Sequence, residues 1–196
     1  MNTVTQKPEP SILEVFVGDH DRLEAILDRA ISACRALALR DARMAFYAYA
    51  DGVRRRIRIE DETLFPALEA HAGPDVASPT LVMRREHREI ERQLDLISDA
   101  LDGLPDLAAA ARQLLALRDL LAAHDRRDDW LLYPACDRSF TKHERGTALE
   151  AASCWLHCAS CGWPQPSAGR LHEVVFCNEC RERGEADDDD ELGVGD

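Results

Sequence analysis

One segment of the chain occurs twice, and it constrains the fold more than any other feature. The first copy reads Arg56-Ile57-Arg58-Ile59-Glu60-Asp61-Glu62-Thr63-Leu64-Phe65-Pro66, the second His124-Asp125-Arg126-Arg127-Asp128-Asp129-Trp130-Leu131-Leu132-Tyr133-Pro134. Both carry acids at their fifth and sixth positions and close with Leu, an aromatic residue and Pro. The likeness extends upstream: His20 is followed by Leu23, Glu24, Leu27 and Asp28, and His87 by Ile90, Glu91, Leu94 and Asp95. A unit repeated in this way describes a helix hairpin used twice, with a potential ligand near the middle of each helix. The copies part at their first position, where Arg56 stands against His124.

Apolar spacing predicts the helices. Ser11 and Glu14 form a capping-box pair, and Leu13, Phe16, Val17, His20, Leu23, Ile26, Leu27 and Ile31 keep helical spacing to about residue 40. A second helix is predicted over about 41–70, with Tyr49, Val53, Arg56, Glu60 and Leu64 on one face and Pro66 kinking or tightening its last turns. Gly73-Pro74-Asp75 marks a break. A third helix over about 78–101 aligns Met83, His87, Ile90, Leu94 and Ile97, and Asp102-Gly103-Leu104-Pro105 turns the chain. A fourth, from about 106 past Asp128, aligns Leu114, Leu117, Leu121, His124 and Asp128. Four amphipathic helices joined by short turns make an all-α, up-down-up-down four-helix bundle.

The expected organisation is a frayed terminus at 1–10, the bundle at 11–140, a connecting helix at 141–153, a small cysteine module at 154–182 and an acidic, disordered tail at 183–196. The formal charge is −13, and residues 181–196 account for −6 of it. An acidic chain has no electrostatic footprint for nucleic acid or an anionic membrane. No basic segment followed by an apolar run opens the chain, and no apolar stretch approaches membrane-spanning length, so a cytoplasmic protein is expected.

Residues one turn apart share a helix face, so the inward stripes bring together Arg56 with Glu60, Met83 with His87, His124 with Asp128, and His20. Several imidazoles and carboxylates converging inside a bundle are costly to bury without a cation between them. Imidazole with carboxylate suits iron, manganese or zinc. Arg56 cannot lose its proton and cannot be a ligand.

The Asp19-His20 pair, the Glu60–Pro66 segment, Glu86-His87 and the His124-xxx-Asp128 spacing together resemble the hemerythrin-like (HHE cation-binding) domain over about 11–135. The resemblance implies a four-helix bundle holding a non-haem di-iron centre, with His from every helix and two bridging carboxylates. It implies His20, Glu60, His87, His124 and either Asp128 or Asp129 as metal residues. Relatives of this kind store or sense oxygen, react with nitric oxide or peroxide, or donate iron for cluster repair. Two departures stand out: Arg56 replaces the family's His before the first bridging carboxylate, and Met83 stands where some relatives carry a further His. A mononuclear site, or a second position of low occupancy, is therefore expected, with the Arg56 guanidinium forking onto Glu60 or Asp128 as a substitute charge.

Five of the seven cysteines lie between Cys154 and Cys180. The pairs Cys158-xx-Cys161 and Cys177-xx-Cys180 are spaced as a tetrahedral four-thiolate zinc site, a zinc ribbon; a rubredoxin-like iron site would use the same four thiolates. So short a module depends on its metal to fold. The expected function is a sensor or binder of oxygen, nitric oxide or iron that signals to a protein partner through its ribbon, without catalysis. The alternatives are a di-iron enzyme acting on peroxide or nitric oxide or repairing iron–sulfur clusters, and a metal-free structural adaptor.

Overall fold

The computed structural model describes residues 10–72, 74–153, 155–157 and 164–166. Helix α1 spans Ile12–Arg35, α2 Leu39–Ile59, α3 Phe65–Ala72, α4 Pro74–Leu101, α5 Leu107–Arg127, α6 Tyr133–Ser139 and α7 Lys142–Ser153. α2 runs into α3, and α5 into α6, through one widened π-helical turn each. The result is four long rods: α1 packs on α2 and α5, and α4 packs on α5 and α2, which closes a ring. Among the described residues, no helix is long and apolar enough to cross a membrane.

Local chemistry accounts for the ends. Ser11 caps α1 in a complete box: its hydroxyl accepts from the Glu14 N–H, and the Glu14 carboxylate accepts from the Ser11 N–H. The backbone N–H groups of Ile12 and Leu13 also donate to the carboxylate of Asp137, at 2.9 and 3.0 Å, tying the start of α1 to α6. α1 ends at Arg35, several residues before the expected position, because Leu37 takes a left-handed conformation (φ 58°) that no helix interior accepts. The turn at 102–106 reverses through Gly103 at φ +48°, and the Asp106 side chain caps α5 by accepting from the Ala109 N–H.

The widened turns coincide with the duplicated segment, Glu60–Leu64 and Asp128–Leu132. The sequence reading had Pro66 kinking or tightening the helix; instead the turn before it opens. Pro66 and Pro134 lack an N–H and crowd the carbonyl four residues back. The preceding N–H groups of Phe65 and Tyr133 reach the carbonyls of Glu60 and Asp128, five residues back. Arg84 Nη2 lies 3.5 Å from the carbonyl of Asp61, which the ordinary helical bond would have used.

The core is split. One apolar cluster, which includes Leu27, Phe46, Val53, Leu94 and Leu117, fills the end of the bundle near the 36–38 and 102–106 turns. A second, which includes Phe16, Leu64, Phe65, Met83 and Tyr133, fills the other end, where α6 and α7 pack. Met83 is thus a packing residue, 1 % exposed. Between the clusters lies a layer of buried polar residues: His20, Arg56, Glu60, His87, His124 and Asp128.

Past α7 the described residues hold two three-residue strands, β1 (Trp155–His157) and β2 (Pro164–Pro166), paired antiparallel. They flank Cys158 and Cys161. All four cysteines of the expected ribbon, and the acidic tail, lie outside the described residues. Leu94→Ala, in the fully buried centre of the first cluster, is expected to lower the free energy of unfolding by about 3 kcal/mol, checked by urea denaturation. Ser11→Ala removes the α1 cap and is expected to cost about 1 kcal/mol in the same assay.

Candidate metal centre

The polar layer holds two adjoining groups of possible ligands. Glu60, His87 and His124 form the first, and His20, Asp125 and Asp128 the second; in each, the ligand atoms lie within 4.8 Å of one another. His20 groups with Asp125 and Asp128, and Asp128 also lies 3.2 Å from His124 of the first group. Adjacent and opposite ligands on an ion with bonds of about 2.0–2.2 Å stand about 3 to 4.4 Å apart, so both groups have workable dimensions.

In the first group, His87 Nε2 is 3.0 Å from Glu60 Oε2, and His124 Nε2 is 3.2 Å from Asp128 Oδ2 of the second. None of these four atoms is aligned for a hydrogen bond, and both oxygens of Asp128 lack a hydrogen-bond partner. Buried polar atoms are almost always paired. A set of orphans on adjacent side chains, with His124, Glu60 and Asp128 fully buried, fits a cation at their meeting point.

The opposite ring nitrogens are occupied. His87 Nδ1 is 2.9 Å from Asp61 Oδ1, and His124 Nδ1 is 3.0 Å from Glu86 Oε2. A carboxylate at Nδ1 fixes the tautomer with its proton there and leaves Nε2 a lone pair aimed inward, the outer support that metal-binding imidazoles use. Glu86 is itself held by Arg127. The π-turn lets consecutive residues serve one ring: Glu60 faces Nε2 of His87 while Asp61 takes Nδ1. Phe65 stacks on His87 at 5.7 Å and 10°, and His87 meets His124 edge-on at 4.8 Å.

The electrostatics separate His124 and His20 from His87. Burial pushes His124 down to about 2, and burial with the nearby Arg56 guanidinium pushes His20 down to about 3, so both rings are neutral donors at physiological pH. Burial opposes a charge on His87 as well, but the carboxylates of Asp61 and Glu60 outweigh it and lift that ring to about 9, so an ion would have to displace the proton on its Nε2. Burial and the charge of Glu60 hold the Asp128 carboxyl well above the usual range. That carboxylate lacks a cation of its own, which a bound metal would supply.

The second group is built differently. Arg56, 2 % exposed, donates through Nη2 to Asp125 Oδ1 at 2.8 Å, and its Nε lies 3.8 Å from Glu60 Oε1. Arg56 stands at ion-pair distance from Glu60 without a hydrogen bond to it, and its hydrogen bond goes to Asp125. Asp125 sits one residue after His124 and on the sequence pattern reads as a surface acid. Burial lifts its carboxyl to about 6. His20 Nδ1 lies 3.2 Å from Asp129 Oδ1, and Asp129 is 30 % exposed, so Asp128 is the buried member of the Asp128–Asp129 pair and Asp129 its rim.

Sequence reasoning missed Tyr133. Its hydroxyl donates to Glu60 Oε1 at 2.5 Å and lies 3.3 Å from His20 Nε2. As the aromatic of the repeat's closing triplet it reads as a packing residue, and Phe65 at the matching position is one. A cavity of about 80 Å³ opens between α1, α2 and α5, walled by Leu23, Leu27, Val53 and Leu121 and ending on His20, Arg56 and Asp125.

A helical bundle with inward imidazoles and carboxylates, two of its rings braced by outer carboxylates, defines a metal-binding bundle protein. The family model of the hemerythrin HHE cation binding domain matches residues 11–136, and the chain belongs to that family. Searches of curated proteins and of solved structures returned no match. Asp61→Asn and Glu86→Gln, which leave the inward atoms in place, are each expected to weaken metal retention about 10- to 100-fold, measured by competition with a chelator.

Proposed function

We propose that the chain is a non-haem iron protein holding one iron in its bundle, which binds a small neutral ligand such as dioxygen or nitric oxide and reports that state to a protein partner. The observation that carries this reading is the set of unpartnered, buried ligand atoms: Glu60 Oε2, His87 Nε2, His124 Nε2 and the Asp128 carboxylate. When bound, the ion supplies redox chemistry and an affinity for diatomic ligands. The chain's own residues orient the ligand atoms, keep the rings in the receptive tautomer and bury the site between two apolar clusters. The largely apolar cavity beside His20 and Arg56 has room for a few waters or a diatomic molecule, and it reaches the exposed Glu24 at its rim.

Cys158, Cys161, Cys177 and Cys180 are proposed to hold zinc as a closed four-thiolate site. With every position filled by protein, such a site is structural, and it supports a docking role in the cytoplasm rather than catalysis. The strand pair around the first two cysteines supports this placement.

Metal analysis of protein purified without oxygen is expected to give one bundle iron per chain, and His124→Ala is expected to abolish it. Iron-loaded protein should unfold at a higher temperature than the stripped form, since a ligand bound only by the native state stabilises it. Equal midpoints with and without iron would favour the metal-free adaptor. Replacing the four cysteines by Ser is expected to remove zinc and leave the bundle iron in place, read by elemental analysis of the same sample.

A further inference from the structure

We infer that Arg56 and Tyr133 act together as a built-in plug for a second cation position, so that the single-iron state is enforced by two residues and not by one substitution. This inference rests on the single-iron reading above. A second ion beside the first would need the free oxygen of Glu60, a nitrogen of His20 and a carboxylate from the second group. The Glu60 oxygen, one His20 nitrogen and the Asp125 carboxylate are already engaged, whereas His20 Nδ1 and the Asp128 carboxylate are not. The Tyr133 hydroxyl holds Glu60 Oε1 at 2.5 Å, and Arg56 Nε stands 3.8 Å from the same oxygen. Arg56 Nη2 takes Asp125 at 2.8 Å. His20 Nε2 lies 3.3 Å from the Tyr133 hydroxyl. The same nitrogen is the His20 atom that faces Asp125, at 3.8 Å. The guanidinium supplies the positive charge an ion would have brought, and the phenol supplies the hydrogen bonds.

The surroundings retain what a second ion would need. Asp19 precedes His20 as Glu86 precedes His87, and Glu86 braces His124 through Nδ1. Asp19 now pairs with Arg22 at 2.6 Å and faces Arg55 at 3.5 Å. Its carboxylate is placed to brace an imidazole at position 56 in the same manner. Removing the charge alone leaves Tyr133 on Glu60, and removing the phenol alone leaves Arg56 on Asp125.

The test counts iron in the zinc-replete full chain after anaerobic loading, with His124→Ala setting the background from the cysteine module. Wild type, Arg56→His and Tyr133→Phe are each expected to hold one bundle iron, visible after oxidation as an isolated paramagnetic ferric ion. Arg56→His combined with Tyr133→Phe is expected to hold two, with the ferric signal lost through coupling of the pair. Two irons in Arg56→His alone would overturn the role of Tyr133, and one iron in a folded double variant would overturn the plug. Two irons in wild type would instead sink the single-iron reading itself. The wild-type ferric spectrum tests the plug without any variant. No phenolate-to-iron charge-transfer band is expected, and such a band would put Tyr133 on the metal and overturn the assignment.

Discussion

The structure depends on one costly arrangement, a layer of ionisable side chains buried across the middle of a helical bundle. Each rod contributes to it: His20 from α1, Arg56 and Glu60 from α2 and the turn after it, His87 from α4, and His124 and Asp128 from α5 and its turn. Such a layer interrupts the apolar core and leaves two clusters that must fold around it. Carboxylates and imidazoles removed from water are tolerable only when charges and hydrogen bonds are matched. Here the match is made in two ways. On one side outer carboxylates brace the imidazoles and the inward atoms stay free for an ion. On the other side an arginine and a tyrosine close the network internally.

That asymmetry arises in a duplicated sequence. The two copies of the acidic segment adopt the same local structure, including the widened turn before each Leu-aromatic-Pro triplet. They differ in chemistry at several matched positions, among them Arg56 against His124, Ile57 against Asp125 and Phe65 against Tyr133. Phe65 stacks on His87 and makes no claim on the ligand atoms, whereas the Tyr133 hydroxyl reaches across to Glu60 of the other copy. A symmetric scaffold thus carries one receptive half and one self-satisfied half.

Much of this was legible before any coordinates. Helix positions followed from apolar spacing and capping residues, and the places where the reading slipped have local causes. The first helix stops early at the left-handed Leu37, and the turn before Pro66 widens instead of tightening because the missing N–H shifts the bonding by one residue. Periodicity also singled out Glu60, His87, His124 and Asp128, since one-turn spacing on facing stripes is visible in a single chain. It did not reveal Asp61 or Glu86 as braces of ring nitrogens, Asp125 as the partner of Arg56, or Tyr133 as a hydrogen-bond donor. Those contacts join residues 26 to 73 positions apart. Their side chains leave the inward stripe at an angle that spacing cannot supply.

By itself the sequence determined that four amphipathic rods would pair and that polar residues would occur at their centres, because helical period and turn chemistry are local properties. Only the tertiary structure decided which polar atoms are left free and which are silenced. That choice depends on distances between rods, where a difference of an ångström separates a hydrogen bond from an open lone pair.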